Sequence, residues 1–206
     1  MAEAPAKLAI LASGAGTNAA RLMRLTAAMD GLEVALVATN KADAGVVETA
    51  RSMGVSTWVF DKSALEGGEV LARLEAAGVR FVALAGFLLK VPPSLVRAYA
   101  GRMLNLHPAL LPAFGGKGMY GHHVHAAVHD ALQRGEVEET GITLHWVNAE
   151  YDEGPPFFQA RVSLDRQVDT QDSIERKVRA LEEAHYAPQV LRAMVQALSL
   201  SGINTP

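Results

Sequence analysis

Two polar side chains suited to acyl transfer lie at the end of a short apolar segment. Asn105 and His107 flank Leu106 in the run Asn-Leu-His-Pro. Residues two apart on a strand point to the same face, so an amide and an imidazole would stand side by side. The amide can donate to a developing oxyanion, and the imidazole can move a proton. The same pattern also suits a structural histidine beside a capping asparagine.

A carboxylate that could assist this pair is Asp152, in the run Tyr-Asp-Glu-Gly-Pro. A carboxylate close to an imidazole favours its protonated form and fixes its tautomer, so we expect Asp152 to raise the pKa of His107. Asp-Glu-Gly-Pro is also an ordinary turn sequence. The sequence leaves both interpretations of Asp152 open.

A glycine-containing loop, Ser-Gly-Ala-Gly-Thr-Asn at 13–18, follows the first apolar run. Free N–H groups at a helix start attract anions, and glycines let the backbone approach them closely. Position 19 is Ala, and Thr39-Asn40 stands where dinucleotide-binding proteins carry an acidic residue, so we favour a phosphomonoester over NAD. The alternative is a plain glycine turn before a capped helix.

A histidine-rich segment follows the glycine-rich run 115–121, which could be a mobile lid or a long connection. It contains His122, His123, His125 and His129. His125 and His129 have the i, i+4 spacing of a metal-binding pair, but no third ligand is evident. We therefore predict no metal site, with the segment serving as a helix start or binding loop.

The elements that would position these groups alternate between strand and helix. In the first half the sequence predicts strands at 7–12, 32–39, 55–60 and 80–85, and helices at 17–29, 44–53 and 64–77. Such alternation indicates right-handed βαβ units and a parallel sheet that is covered on both faces.

The second half has a different pattern. Its predicted elements are a short helix at 93–100, a strand at 102–106, a helix at 123–134, an antiparallel hairpin of 140–148 with 157–164, a helix at 171–198 that is kinked or broken at Pro188, and a frayed tail at 201–206. The predicted fold class is α/β, with a Rossmann-like, mostly parallel central sheet, helices on both faces and an antiparallel hairpin in the C-terminal half. We expect one domain over 1–206, with a phosphate-binding half at about 1–100 and a catalytic and ligand-binding half at about 101–206.

Composition excludes several classes of protein. The 206 residues include no cysteine, which removes disulfide scaffolds, thiolate metal sites and cysteine nucleophiles. A formal net charge of −3 gives no basic excess, so we expect no nucleic-acid partner. The longest apolar run is too short for a bilayer, so we predict no membrane association and a cytoplasmic location. The sequence leaves the oligomeric state open.

At these residues the chain resembles the phosphoribosylglycinamide formyltransferase family. The matching segments occur in order from about residue 7 to about residue 190. They are SGAGTN at 13–18, TNKAD at 39–43, LAGFLLKVP at 84–92, NLHPALLPAFGGKGMYG at 105–121, GITLHWV at 141–147 and YDEGP at 151–155.

This resemblance implies an enzyme of purine biosynthesis that transfers formyl from 10-formyltetrahydrofolate to the amine of 5′-phosphoribosylglycinamide, without a metal. Asn105 and His107 would stabilise the oxyanion, while Asp152 would raise the pKa of His107 and assist proton movement. The expected substrate-binding residues are Gly16, Thr17, Asn18 and, on the ribose side, Glu182. The expected folate-binding residues are Leu88, Leu89, Lys90, Val91, Asn148, Ala149, Glu150 and Tyr151.

Three other functions remain as alternatives. Methionyl-tRNA formyltransferase and formyltetrahydrofolate deformylase are relatives that usually carry an additional domain, which we do not expect here. A phosphate-binding module without catalysis is the alternative from another class. The run Leu88-Leu89-Lys90 departs from the Met-Arg of many family members, which concerns contacts to the folate tail.

Overall fold

One seven-stranded sheet organises the structure, a computed structural model that describes residues 4–202, with side chains as far as residue 199. Its strands are β1 (Ala6–Leu11), β2 (Leu32–Thr39), β3 (Thr57–Val59), β4 (Val79–Leu84), β5 (Met103–His107), β6 (Glu139–Trp146) and β7 (Pro156–Ser163). They lie in the order β3-β2-β1-β4-β5-β6-β7. Strands β1 to β5 pair in parallel, whereas β6 is antiparallel to both neighbours.

The helices connect and cover these strands. They are α1 (Thr17–Ala27), α2 (Gly45–Ser52), α3 (Lys62–Glu66), α4 (Glu69–Ala76), α5 (Pro93–Ala98), α6 (His122–Arg134) and α7 (Gln171–Gly202). The predicted α/β class, with a mostly parallel sheet and a C-terminal antiparallel hairpin, is confirmed. None of the helices in the described residues has the length and apolarity that crossing a bilayer requires.

Both faces of the sheet are buried, which explains the continuous apolar run of β1. Leu8 and Ile10 pack in a cluster with residues of α1 and α7, whereas Ala9 and Leu11 pack in a second cluster with residues of α4 and α5. Side chains alternate across a strand, so a strand covered on both sides needs apolar residues at every position.

The single helix predicted at 64–77 is wrong. Two helices, α3 and α4, occupy this region and are separated at Gly67 and Gly68. Asp61 begins α3 by accepting a hydrogen bond from the Ala64 N–H at 2.8 Å. Gly68 has a φ of 89°, a left-handed conformation that interrupts the helical path.

Of the kink or break predicted at Pro188, the break is wrong, because α7 continues through this residue as far as Gly202. Residues on either side hold the helix against the sheet. Val190 and Met194 are fully buried, and the Tyr186 hydroxyl donates to the Leu84 carbonyl at 2.9 Å. Packing therefore outweighs the hydrogen bond that proline removes. Of the predicted frayed tail, residues 203–206 lie outside the described residues.

A buried carboxylate fixes the start of α7. Asp169 accepts hydrogen bonds at 2.7 Å from the Asp165 N–H, from the Ser173 hydroxyl and from the Lys177 ammonium. Burial acts to raise the pKa of Asp169, but these donors outweigh it and lower the pKa to about 2. The ionised carboxylate therefore contributes to the stability of this end of the fold.

We expect Asp169→Asn to lower the free energy of unfolding at pH 7 by about 1–2 kcal/mol, because the depressed pKa marks a stabilised charge. That contribution is present above the ordinary pKa of 3.8 and is lost as pH falls towards about 2. Urea unfolding at several pH values should show that the free energies of unfolding of the wild type and of Asp169→Asn become equal in acid. Asp172→Asn, at an exposed carboxylate of the same helix, should cost about 0.5 kcal/mol or less. A constant difference for Asp169→Asn down to pH 2 would contradict the assignment.

Candidate active site

One cavity of about 700 Å³ opens at the carboxyl edge of the parallel strands. Loops after β1, β4 and β5 meet there, because parallel strands end at the same edge. The β6–β7 connection and one side of α7 close the cavity. The structure brings together all the predicted site residues, which line this cavity: Gly16, Thr17, Asn18, Leu88, Leu89, Lys90, Val91, Asn105, His107, Asn148, Ala149, Glu150, Tyr151, Asp152 and Glu182.

The His107 imidazole is buried at the end of β5, with both of its nitrogens engaged. Nδ1 lies 3.4 Å from Oδ2 of Asp152, and Nε2 lies 2.8 Å from the Phe114 carbonyl oxygen. Burial lowers the pKa of His107, and the opposing effects of Asp152 and of the Phe114 carbonyl are smaller. Asp152 thus acts in the predicted direction and raises the pKa of His107, but burial disfavours the charged imidazolium more strongly, so the net shift is downward.

Asn105 pairs across the sheet with a histidine that sequence reasoning did not select. His145 on β6 stands opposite Asn105 on β5, and Nε2 of the imidazole lies 3.0 Å from the amide nitrogen Nδ2. Nδ1 of His145 lies 3.1 Å from the Trp146 carbonyl, to which a proton on Nδ1 would donate. In that tautomer Nε2 accepts from the Asn105 amide, which keeps a second N–H for the cavity.

Asp152 connects the two histidines. Its Oδ1 lies 3.5 Å from Nε2 of His145, and its Oδ2 accepts from the Gly116 N–H at 3.0 Å. Burial acts to raise the pKa of Asp152, but the contacts with His145, His107 and Gly116 outweigh it and lower the pKa. The carboxylate is therefore held ionised beside a histidine whose pKa burial lowers.

The turn that presents Asp152 depends on a glycine. Asp152 has a φ of 57°, a left-handed conformation that aspartate tolerates better than most residues. A Cβ at Gly154 would lie 1.6 Å from the Trp146 carbonyl oxygen, so no other residue fits there. The turn interpretation of Asp-Glu-Gly-Pro and the active-site interpretation are thus both compatible with this geometry.

A second buried network holds the segment that follows His107. The Thr143 hydroxyl donates to the Ala109 carbonyl at 2.8 Å and accepts from the Leu111 N–H at 3.0 Å. The Gln159 amide donates to the Leu111 carbonyl and to the Thr143 hydroxyl, each at 3.0 Å. This network fixes the path of 108–111, and sequence reasoning missed Thr143 and Gln159.

At the opposite side of the cavity, α1 begins at the glycine loop. Gly16 has a φ of 83°, and a Cβ there would lie within 2.8 Å of Val46. Asn18 donates to Oε2 of Glu182 at 2.8 Å. Burial raises the pKa of Glu182 more than this hydrogen bond lowers it. The start of α1 and the Glu182 carboxyl therefore line the same side of the cavity. This combination suits a ligand that carries a phosphate with neighbouring hydroxyl groups.

Two loops form the apolar mouth of the cavity. The run Leu88–Val91 after β4 faces Asn148–Tyr151 in the β6–β7 connection. Lys90 joins them, since its ammonium lies 3.4 Å from Oε2 of Glu150 and 5.4 Å from the centre of the Tyr151 ring. Leu88 and Tyr151 are 44% and 38% exposed, so their apolar surface is available for contact with a planar ring system of a ligand.

The histidine-rich segment forms the start of α6. The rings of His122 and His123 are 4.1 Å apart, and His123 meets Tyr120 edge-on. His125 is buried against the cavity, and burial lowers its pKa. Within residues 4–202 no group of three or more histidine, aspartate or glutamate side chains could hold a metal ion.

Comparisons with known proteins match this sequence and this fold. The family model described as formyl transferase matches residues 6–191. The chain belongs to the formyl transferase family. It is 42% identical over 188 residues to the chloroplastic phosphoribosylglycinamide formyltransferase of Arabidopsis thaliana, which covers 87% of this chain and 61% of that protein. The chain thus spans about three fifths of the plant relative's length.

Two bacterial relatives match over nearly their whole length. The phosphoribosylglycinamide formyltransferase of Bacillus subtilis is 31% identical, covering 92% of this chain and 94% of its own. The crystal structure of the protein of that name from Bacillus halodurans gives a TM-score of 0.78 at 34% identity, covering 93% and 96% of the two chains. The resemblance identified from the sequence motifs is confirmed.

We expect the pKa of His107 to lie below its ordinary value of 6.5 and to fall further in Asp152→Asn, because the carboxylate opposes the effect of burial. Titration of the labelled imidazoles by NMR measures both values. His145→Gln serves as a comparison that keeps Asp152 charged. A His107 pKa above 6.5, or one that rises in Asp152→Asn, would contradict this description of the site.

Proposed function

We propose that this chain transfers the formyl group of 10-formyltetrahydrofolate to the amine of 5′-phosphoribosylglycinamide. One observation carries the proposal: Asn105, His107 and Asp152 stand together in a cavity between a helix start and an apolar mouth. The names of the relatives support the same reaction. We further propose that one domain carries the activity and that the protein works in the cytoplasm.

The acceptor substrate would occupy the side of the cavity at α1. The backbone at Gly16, Thr17 and Asn18 would bind the 5′-phosphate, since the helix start offers N–H groups with no intrahelical partner. Glu182, already bonded to Asn18, would accept hydrogen bonds from the ribose hydroxyls. This placement directs the glycinamide amine towards Asn105 and His107.

The folate would bind between the two loops at the mouth. Leu88, Leu89 and Val91 offer apolar contact to the ring, with Lys90 beside them. The backbone of Asn148, Ala149, Glu150 and Tyr151 would supply hydrogen bonds to its polar edge. The formyl carbon would then stand between the donor's N10 and the acceptor's amine.

In the reaction the amine nitrogen bonds to the formyl carbon, and the bond from that carbon to N10 breaks. The second N–H of the Asn105 amide and the protonated His107 would stabilise the intermediate oxyanion. Asp152, held ionised, would accept the proton that the attacking amine loses. Asp152 would then pass that proton to N10 as the bond between N10 and the formyl carbon breaks, so the transfer neither gains nor loses a proton.

His107 can reach the oxyanion only by exchanging a present partner. Its Nε2 faces the Phe114 carbonyl, and its Nδ1 faces Asp152. Phe114 has a φ of 56°, a strained conformation for a bulky residue. A small shift at Phe114 would release Nε2 to the substrate while Asp152 keeps the ring oriented.

We expect Asn105→Ala and His107→Ala each to lower turnover by about 100-fold or more, as the loss of an oxyanion donor does. Absorbance of the folate product, followed with glycinamide ribonucleotide present, measures turnover. As a control, His123→Ala changes a histidine that does not line the cavity and should keep wild-type turnover. More than half of wild-type turnover in both site variants would refute their roles.

We expect Asp152→Asn to move the alkaline limb of the pH–rate profile to lower pH. The active form carries a protonated His107, and loss of the carboxylate lowers the pKa at which that proton leaves. Turnover near neutral pH should therefore fall strongly in a variant that still folds. An unchanged profile would assign Asp152 to the turn alone.

A further inference from the structure

The motif Thr39–Asp43, at the end of β2, has no part in the reaction described above. Its Asn40 nevertheless reaches the edge of the site, where Oδ1 accepts a hydrogen bond of 2.6 Å from the Ser13 hydroxyl. Ser13 is the first residue of the glycine loop and is 3% exposed. A buried hydroxyl therefore connects the end of β2 to the loop after β1.

The same serine also holds the loop after β4. The Ser13 N–H donates to the Gly86 carbonyl at 3.1 Å, and the Ser13 hydroxyl oxygen accepts from the Leu88 N–H at 3.1 Å. Because Leu88 supplies the proton in that contact, the hydroxyl proton of Ser13 points to Asn40. A directed chain of hydrogen bonds thus runs from Leu88 through Ser13 to Asn40.

A second contact ties the glycine loop to the β2 side. The Val46 N–H, at the start of α2, donates to the Gly14 carbonyl at 3.3 Å. A Cβ at Gly16 would lie 2.7 Å from Val46, so the loop and α2 are in close contact. Displacement of the glycine loop therefore requires displacement of its neighbours on both sides.

We propose that Ser13 and Asn40 are positioning residues that couple the phosphate-binding loop to the folate-facing loop, so that each substrate tightens the binding of the other. This inference rests on the proposed function. Phosphate bound at 16–18 restrains the loop that begins at Ser13, and Ser13 then restrains Leu88 in the wall of the mouth. The effect is reciprocal, because coupling between two binding sites acts equally in both directions.

The exposure of Leu88 separates this role from a purely structural one. Leu88 is 44% exposed, so its loop lies at the surface, where water can replace the Ser13 hydroxyl as a partner. The loss therefore affects the order of the 86–91 loop more than global stability. Coupling should disappear in a variant that still folds.

Calorimetry with tetrahydrofolate and glycinamide ribonucleotide tests the coupling, because this pair cannot react. In the wild type, saturating glycinamide ribonucleotide should tighten tetrahydrofolate binding by about fivefold or more. In Ser13→Ala and in Asn40→Ala the change should fall below about twofold. Asn40→Asp keeps the acceptor oxygen and should retain the coupling. Thr49→Ala, at an exposed hydroxyl of α2, should match the wild type.

Unchanged coupling in both Ser13→Ala and Asn40→Ala, or independent binding in the wild type, would overturn the inference. Failure of the proposed function gives a different result, since a wild type that binds both ligands yet transfers no formyl group refutes the reaction alone. A wild type that binds neither ligand refutes both. Formyl transfer by the wild type, together with unchanged coupling in the variants, refutes the coupling alone.

Discussion

The carboxylate of Asp152 lies between two buried imidazoles, and the geometry of the site depends on this arrangement. Its oxygens are 3.4 Å from His107 and 3.5 Å from His145, and the side chain is 11% exposed. A buried carboxylate is costly unless donors compensate for lost water. The Gly116 N–H donates to Asp152, and the two flanking imidazoles come from β5 and β6, so three separate segments must converge on one residue.

That convergence explains why the sheet changes direction at β6. The antiparallel pairing places His145 opposite Asn105 and Thr143 opposite His107. The polar residues of β6 therefore lie beside the two site residues of β5. The connection to β7 then returns Asp152 to the same edge through the close approach at Gly154. Both groups therefore favour their deprotonated forms, because burial lowers the pKa of His107 and the contacts around Asp152 lower the pKa of that carboxyl.

The fold was predictable because its signals are local. The alternation of short apolar runs with amphipathic stretches predicted the parallel strands, and the placement of Asn105, His107 and Asp152 at one edge followed from strand ends. His145 was not predicted to belong to the site, although the alternation of apolar and polar residues in 142–146 places it on the polar face of β6. Its role depends on which strand pairs with 102–106, and the sequence indicated only the pairing of β6 with β7. The net pKa of His107 and the break at Gly68 depend likewise on burial and on backbone conformation.

The most direct test of the proposed reaction is the stoichiometry of formyl transfer by the unmodified chain. Purified protein is given 10-formyltetrahydrofolate with and without glycinamide ribonucleotide, and absorbance follows the folate while mass spectrometry counts the formylated product. We expect one formylated glycinamide ribonucleotide for each tetrahydrofolate released, with almost no release when the ribonucleotide is absent. Release at the same rate without the ribonucleotide, or binding of both ligands with no transfer, would contradict it.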